Sequence, residues 1–175
     1  MRFHHALAAV ALVAAACASN INQNGDSGYA GAQIDCTGLV CDWIVVKGVP
    51  IYGPTWHLGD LGVDLSTDGP IVLELRDVLF AATTSRQMYL HAVLARDPTA
   101  TLAFECDFYA PGQGTGATFW DRDPVFLVTR HVDVLQQGVV SFGRYVLVPS
   151  EGAAVVLRVL KDGTGIAMFD EITLG

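Results

Sequence analysis

Asp162-Gly163-Thr164-Gly165-Ile166-Ala167-Met168-Phe169-Asp170-Glu171-Ile172-Thr173-Leu174 stands at the end of the sequence. It reads as a glycine-rich turn followed by one extended strand. Ile166, Met168, Ile172 and Leu174 fall on one face and Ala167, Phe169, Glu171 and Thr173 on the other, the period of two that an extended chain produces. Asp170 interrupts the apolar face. A carboxylate among inward-facing side chains costs several kcal/mol unless it is hydrogen-bonded, paired or bound to a cation, so its position requires a partner.

Working back from this strand, further runs of alternating apolar residues are separated by turn signals. They predict strands at Trp43 to Lys47, Leu61 to Leu65, Ile71 to Phe80, Gln87 to Ala95, Thr101 to Tyr109, Val125 to Val134, Val140 to Val148, Ala153 to Leu160 and Ile166 to Leu174. The punctuation is Thr67-Asp68-Gly69-Pro70, Arg96-Asp97-Pro98, Pro111-Gly112-Gln113-Gly114, Pro149-Ser150-Glu151-Gly152 and Asp162-Gly163, all residues with fixed turn chemistry. No long helical period is present. Many short strands so spaced predict an all-β fold, an antiparallel β-sandwich whose inner faces bury the alternating Ile, Leu, Val and Phe.

The closing strand has the form Gly-x-Gly-x-x-x-Phe-Asp-Glu-Ile-x-Leu and resembles that of the galactose-binding-like jelly rolls, which include many bacterial carbohydrate-binding modules. Other features follow in the family's order. Asn20-Ile21 and Asn24-Gly25-Asp26 resemble its opening motif, with Ser27 and Gly28 where Phe and Glu are expected. Trp43 with Val46-Lys47-Gly48 resembles the strand after it, and Arg144 to Pro149 before Ala154 to Val159 resembles the penultimate pair. The resemblance implies a jelly roll and a non-catalytic carbohydrate-binding role. It also implies a structural Ca²⁺ between the opening segment and the closing strand, drawing on Asp26 and Asp170. Calcium takes six to eight oxygens, and without the Glu the site is short of charge, so the expectation is no cofactor.

The 175 residues carry a formal charge of -8 with 51% hydrophobic residues, which fits one globular domain behind an export segment. An acidic balance argues against nucleic acid and anionic lipid surfaces. Met1-Arg2-Phe3-His4-His5 precedes an apolar run from Ala6 to Ala16, too short to span a bilayer, and reads as a signal peptide at 1–16. Val13-Ala14-Ala15-Ala16-Cys17 resembles a bacterial lipobox, with Ala14 where Leu is usual. Cys17 would then be lipidated as the mature N-terminus, anchoring the protein in the cell envelope, with no other contact to the membrane. Cleavage at Ala16-Cys17-Ala18 is the alternative and would give a soluble secreted protein. Residues 17–33 read as a tether or first-strand segment and 34–175 as the sandwich.

Cys36 and Cys41 flank a glycine at a spacing that closes a small disulfide loop in an oxidising compartment. Zinc is the alternative. Cys106 shares a face with Phe104 and Phe108 and reads as a buried free thiol, its pairing with Cys36 or Cys41 left open. Serine-elbow, zincin, Walker and dinucleotide patterns are all missing from the sequence. His57, His91 and His131 are scattered, and Asp121 and Asp123 read as turn residues rather than a glycosidase pair.

Aromatic residues in loops remain. Tyr52-Gly53-Pro54-Thr55-Trp56-His57 and Phe119-Trp120-Asp121-Arg122 each set a Trp beside hydrogen-bonding groups. Sugars stack their C–H faces on rings while polar neighbours bond the hydroxyls. Trp56, His57, Tyr52, Trp120, Asp121 and Arg122 are therefore the expected ligand-binding residues, whereas Trp43 is expected in the core. The expected partner is a glycan; the alternative is a structural or protein-interaction role against another envelope protein.

Overall fold

Turn chemistry cuts the chain into eleven strands in the computed structural model, which describes residues 34–37, 43–55, 58, 61–79, 87–149 and 154–174. They are β1 (Ile34–Thr37), β2 (Ile44–Lys47), β3 (Ile51–Pro54), β4 (Leu61–Asp64), β5 (Ile71–Leu79), β6 (Gln87–Arg96), β7 (Ala100–Ala110), β8 (Val125–Asp133), β9 (Gly138–Leu147), β10 (Ala154–Gly163) and β11 (Ala167–Leu174). The expected strands recur within a few residues, and β1 and β3 are additions. Residues 1–33 lie outside the described residues, and with them the signal segment, Cys17 and Asp26.

Among the described residues all pairings are antiparallel and form two sheets. The first runs β3-β4-β11-β6-β9, with β1 also on β11; the second runs β2-β5-β10-β7-β8. From β4 onward the two sheets interleave as β4-β11-β6-β9 over β5-β10-β7-β8, the strand order of a jelly roll. Alternate residues point inward from both layers. Leu90, Leu94, Phe104, Phe108, Phe142, Leu157, Val159 and Ile172 are among those that fill the space between them. Phe104 of β7 meets Phe142 of β9 with ring centroids 5.7 Å apart. Trp43 is half-buried and packs edge-on against Phe169 at 5.6 Å, so the expected core role holds.

The closing strand departs from strict alternation. Phe169 stands opposite Leu94 and Glu171 opposite Val93, so Asp170 is the extra residue of a β-bulge. Side-chain parity flips there: Ala167 and Phe169 before the bulge, and Ile172 and Leu174 after it, belong to the core. Met168 is buried outside that cluster, as is its register partner Ala95. The expected face of Ile166, Met168, Ile172 and Leu174 is thereby corrected, and Asp170 does not share the inward row. The bulge also marks a handover, because β4 pairs with Met168 and Phe169 whereas β1 pairs from Glu171 to Leu174. Gly62 of β4 presses against it; a Cβ there would come within 2.3 Å of the Phe169 carbonyl oxygen.

Two cations close the sandwich. Lys161 is 2% exposed and its Nζ donates to the carbonyl oxygens of Thr67 at 2.6 Å, Gly163 at 2.8 Å and Gly69 at 3.3 Å. Arg96 donates to the carbonyls of Gln136 and Leu135 at 3.0 and 2.9 Å and also to those of Asp97 and Ala100. Buried charge is tolerated where its donors are matched by acceptors, and backbone oxygens supply them here.

Candidate functional site

In β6, Met88, Leu90, Ala92 and Leu94 are buried in the core, so the alternate residues Tyr89, His91 and Val93 face outward from the first sheet. Register places Tyr89 opposite Tyr145, His91 opposite Gly143 and Val93 opposite Ser141 of β9. On the other side, His91 stands opposite Thr173 and Val93 opposite Glu171 of β11. The outward face of three neighbouring strands thus collects rings and hydroxyl or carboxylate groups.

The rings form a row. Tyr89 and Tyr145 have centroids 5.0 Å apart with planes tilted by 52°. Tyr89 and His91 lie 6.4 Å apart and nearly parallel, at 18°. Tyr89 is 43% exposed and Tyr145 72%. His91 is held from both sides, by Ser141 Oγ 2.8 Å from Nε2 and Glu171 Oε1 3.5 Å from Nδ1. Tyr89 can lie across β9 because residue 143 is glycine: a Cβ there would sit 2.0 Å from the Tyr89 hydroxyl oxygen. Ser141, His91 and Glu171 have the order of a hydrolytic triad. Ser141, however, lies within a paired strand rather than on the sharp turn that presents a nucleophilic serine. What the arrangement does is fix an imidazole plane beside a tyrosine.

The residues expected from sequence are distributed differently. Tyr52 is exposed on β3, at the edge of the first sheet, and partial burial raises the pKa of its hydroxyl. Trp56, His57 and Cys41 lie outside the described residues, and of Cys36 only the strand position is described, so the disulfide lies outside them too. Trp120 opens a single 3-10 turn, Trp120–Arg122, that follows β7. Its ring meets Tyr109 and Phe119 edge-on, each at 5.3 Å, and its buried Nε1 has no hydrogen-bond partner among the described residues. Asp121 and Arg122 close the loop on itself. Asp121 Oδ2 accepts from the Thr118 N–H and Thr118 Oγ1 accepts from the Asp121 N–H, both at 3.2 Å, while Arg122 Nε donates to the Gly116 carbonyl at 2.8 Å. Tyr52 and the Trp120 turn thus belong to different sheets.

The outer face of the second sheet carries charge instead. Arg158 Nε donates to Glu74 Oε2 at 2.9 Å and its Nη1 to Asp107 Oδ2, while Thr129 Oγ1 donates to Asp107 Oδ1. Glu74 and Asp107 are each 3% exposed. His131 faces Asp133 at 2.9 Å and Glu105 at 3.2 Å, and hydrogen bonds to these two carboxylates hold its pKa above the ordinary histidine value. Among the described residues, no group of three or more His, Cys, Asp or Glu side chains could hold a metal ion. Cys106 is a buried free thiol, and burial first, then Asp107 and Glu105, push its pKa up to about 12.

No protein-family model matches the sequence, and no curated protein matches it. Solved structures do. A module described as family 16 carbohydrate-binding module-2 is 14% identical, with a TM-score of 0.52 over 76% of this chain and 89% of that one. The CBM22-1 and GH10 modules of a Clostridium thermocellum endo-1,4-β-D-xylanase, complexed with xylohexaose, are 11% identical, with a TM-score of 0.49 over 81% of this chain and 28% of that one. TmCBM61 in complex with β-1,4-galactotriose is 14% identical, with a TM-score of 0.48 over 77% and 88%. The first likeness shows a shared antiparallel β-sandwich.

Proposed function

We propose that the protein is a non-catalytic glycan-binding module whose binding face is the row Tyr145, Tyr89 and His91 on the outside of the first sheet. The observation that carries this reading is the contiguity of the three rings, two of them exposed tyrosines, on strands that fix their spacing. Sugar rings stack on such surfaces through their C–H faces. Ser141, Glu171 and Thr173 beside them offer partners for hydroxyls. The fold shared with a carbohydrate-binding module supports the reading without determining it, since fold does not fix function. Export and lipidation at Cys17 would hold the module at the cell envelope. Tyr52 and the Trp120 turn would form separate contacts, because they lie away from the row.

The test is affinity electrophoresis against a panel of neutral polysaccharides. Tyr89→Ala and Tyr145→Ala should each weaken binding by at least about 2 kcal/mol, as buried hot-spot aromatics do, while the melting temperature stays close to wild type. Retention on every polysaccharide after both changes would overturn the assignment of this face. A second reading, a protein-interaction surface, is favoured by Val125, Phe126 and Leu127, exposed on the edge strand β8. Exposed apolar edges are where other chains pair.

A further inference from the structure

We infer that the glycan carried on the tyrosine row continues over the edge of β9 into the cleft between β8 and β9, where Arg130 bonds its hydroxyls; this rests on the glycan reading of the row. Both strands are sheet edges, β9 pairing with β6 and β8 with β7. Between them lies an open cleft of about 210 Å³ lined by Arg130, His131, Val132, Tyr145, Val146 and Leu147. Tyr145 is therefore at once the outermost ring of the row and a wall of the cleft.

The cleft is smaller than the roughly 300 Å³ at which small-molecule pockets begin, so it suits one further sugar unit of a chain already held elsewhere. Arg130 is placed for such a unit. Its Nε donates to the Leu147 carbonyl at 3.4 Å, which sets the guanidinium across the opening, and its terminal nitrogens bond no other group among the described residues. Two parallel N–H donors in a rigid fork match adjacent hydroxyls as they match a carboxylate. The surroundings choose between those two. Of the lining groups Arg130 and His131, the second already has both ring nitrogens taken up by Glu105 and Asp133, and a protein of net charge -8 disfavours an anionic uronate against a neutral glycan. The ligand class is a neutral glycan long enough to run across the strands from His91 to Arg130.

Calorimetric titration of the protein with neutral β-1,4-linked xylo- and galacto-oligosaccharides of two to six units tests this. Affinity should rise with length. Arg130→Gln should cost about tenfold for the longest oligosaccharide, the size of one charged hydrogen bond, and nothing for the shortest that binds. Tyr89→Ala should weaken every length. If Arg130→Gln matches wild type at all lengths while Tyr89→Ala loses binding, the cleft is not occupied and the tyrosine row stands. Equal weakening at all lengths would also overturn the extension, since Arg130 would then act through the fold. No binding of any oligosaccharide by the wild type would overturn the cleft and the row together.

Discussion

The Tyr89 hydroxyl occupies the space that a side chain on Gly143 would need, with only 2.0 Å between that oxygen and a Cβ built at residue 143. The two residues lie on adjacent strands, β6 and β9, and the missing side chain lets the ring fold across the sheet rather than stand away from it. Gly143→Ala should therefore displace Tyr89, whose ring end can swing toward solvent. Expected is weaker glycan binding with stability changed by no more than about 1 kcal/mol, the ordinary range for surface substitutions and small backbone effects. Affinity electrophoresis beside a thermal melt separates these outcomes, and unchanged binding would show that the ring's placement is immaterial.

Asp170 sets the parity of the last four residues. Deleting it should remove the bulge and turn Ile172 and Leu174 away from the core, at about 2 to 5 kcal/mol for each lost side chain. That is comparable to the whole stability of a domain. Asp170→Asn preserves the residue count and should keep the fold. Circular dichroism during urea unfolding distinguishes the two, and a deletion as stable as wild type would refute the role given to the bulge.

Arg158 neutralises two carboxylates that water scarcely reaches, Glu74 and Asp107. Arg158→Met should cost about 3 kcal/mol at neutral pH, because the acids are left buried without their cation. Chemical denaturation measures it. A loss below about 0.5 kcal/mol would mean that the network behaves as an exposed one.

His131 has its folded pKa raised, with hydrogen bonds to Asp133 and then Glu105 as the largest causes. A raised folded pKa contributes stability that is fully present below the unfolded value, about 6.5, and is lost as pH rises through the folded one. Its side chain is 47% exposed, so solvent screening limits the contribution to below about 1 kcal/mol. Wild-type melting temperature should fall slightly as pH rises from about 6 toward 8, and His131→Gln should flatten that slope. An equal slope in the variant would exclude the histidine as its source.

Cys106, buried with a pKa pushed up to about 12, should resist thiol reagents in the native protein at pH 8 and react once urea unfolds it. Labelling of Cys106 without unfolding would contradict its place in the core.

The strands were legible because Pro and Gly turns bound each apolar run, and the pattern from Gln87 to Val148 survives almost unchanged in β6 to β9. β1 and β3 were not, since four residues hold too few alternations to stand above their neighbours, and Gly53-Pro54 reads as a turn. The bulge at Asp170 was hidden for a different reason: a period of two carries no mark of an inserted residue until a partner strand is laid against it. The tyrosine row is not legible in the sequence, because a ring stands out beside polar groups in a loop and not within a strand. Tyr89 and His91 sit within an apolar run, where an aromatic residue counts toward the core. Their outward parity was nonetheless written in Met88, Leu90, Ala92 and Leu94, whereas their neighbours Tyr145, Ser141 and Glu171 come together only through the pairing of β6 with β9 and β11.

The carbonyl cage around Lys161 has a practical consequence for amine chemistry. The sequence contains two lysines, Lys47 and Lys161, and an ammonium enclosed by three backbone oxygens offers no lone pair to an acylating reagent. Lys47 is exposed on β2, an edge strand of the sheet opposite the tyrosine row. Biotin or a fluorophore delivered as an activated ester should therefore reach one lysine, leaving the α-amino group as the other acceptor. A protein coupled through Lys47 would sit on a sensor surface with its tyrosines turned toward solution.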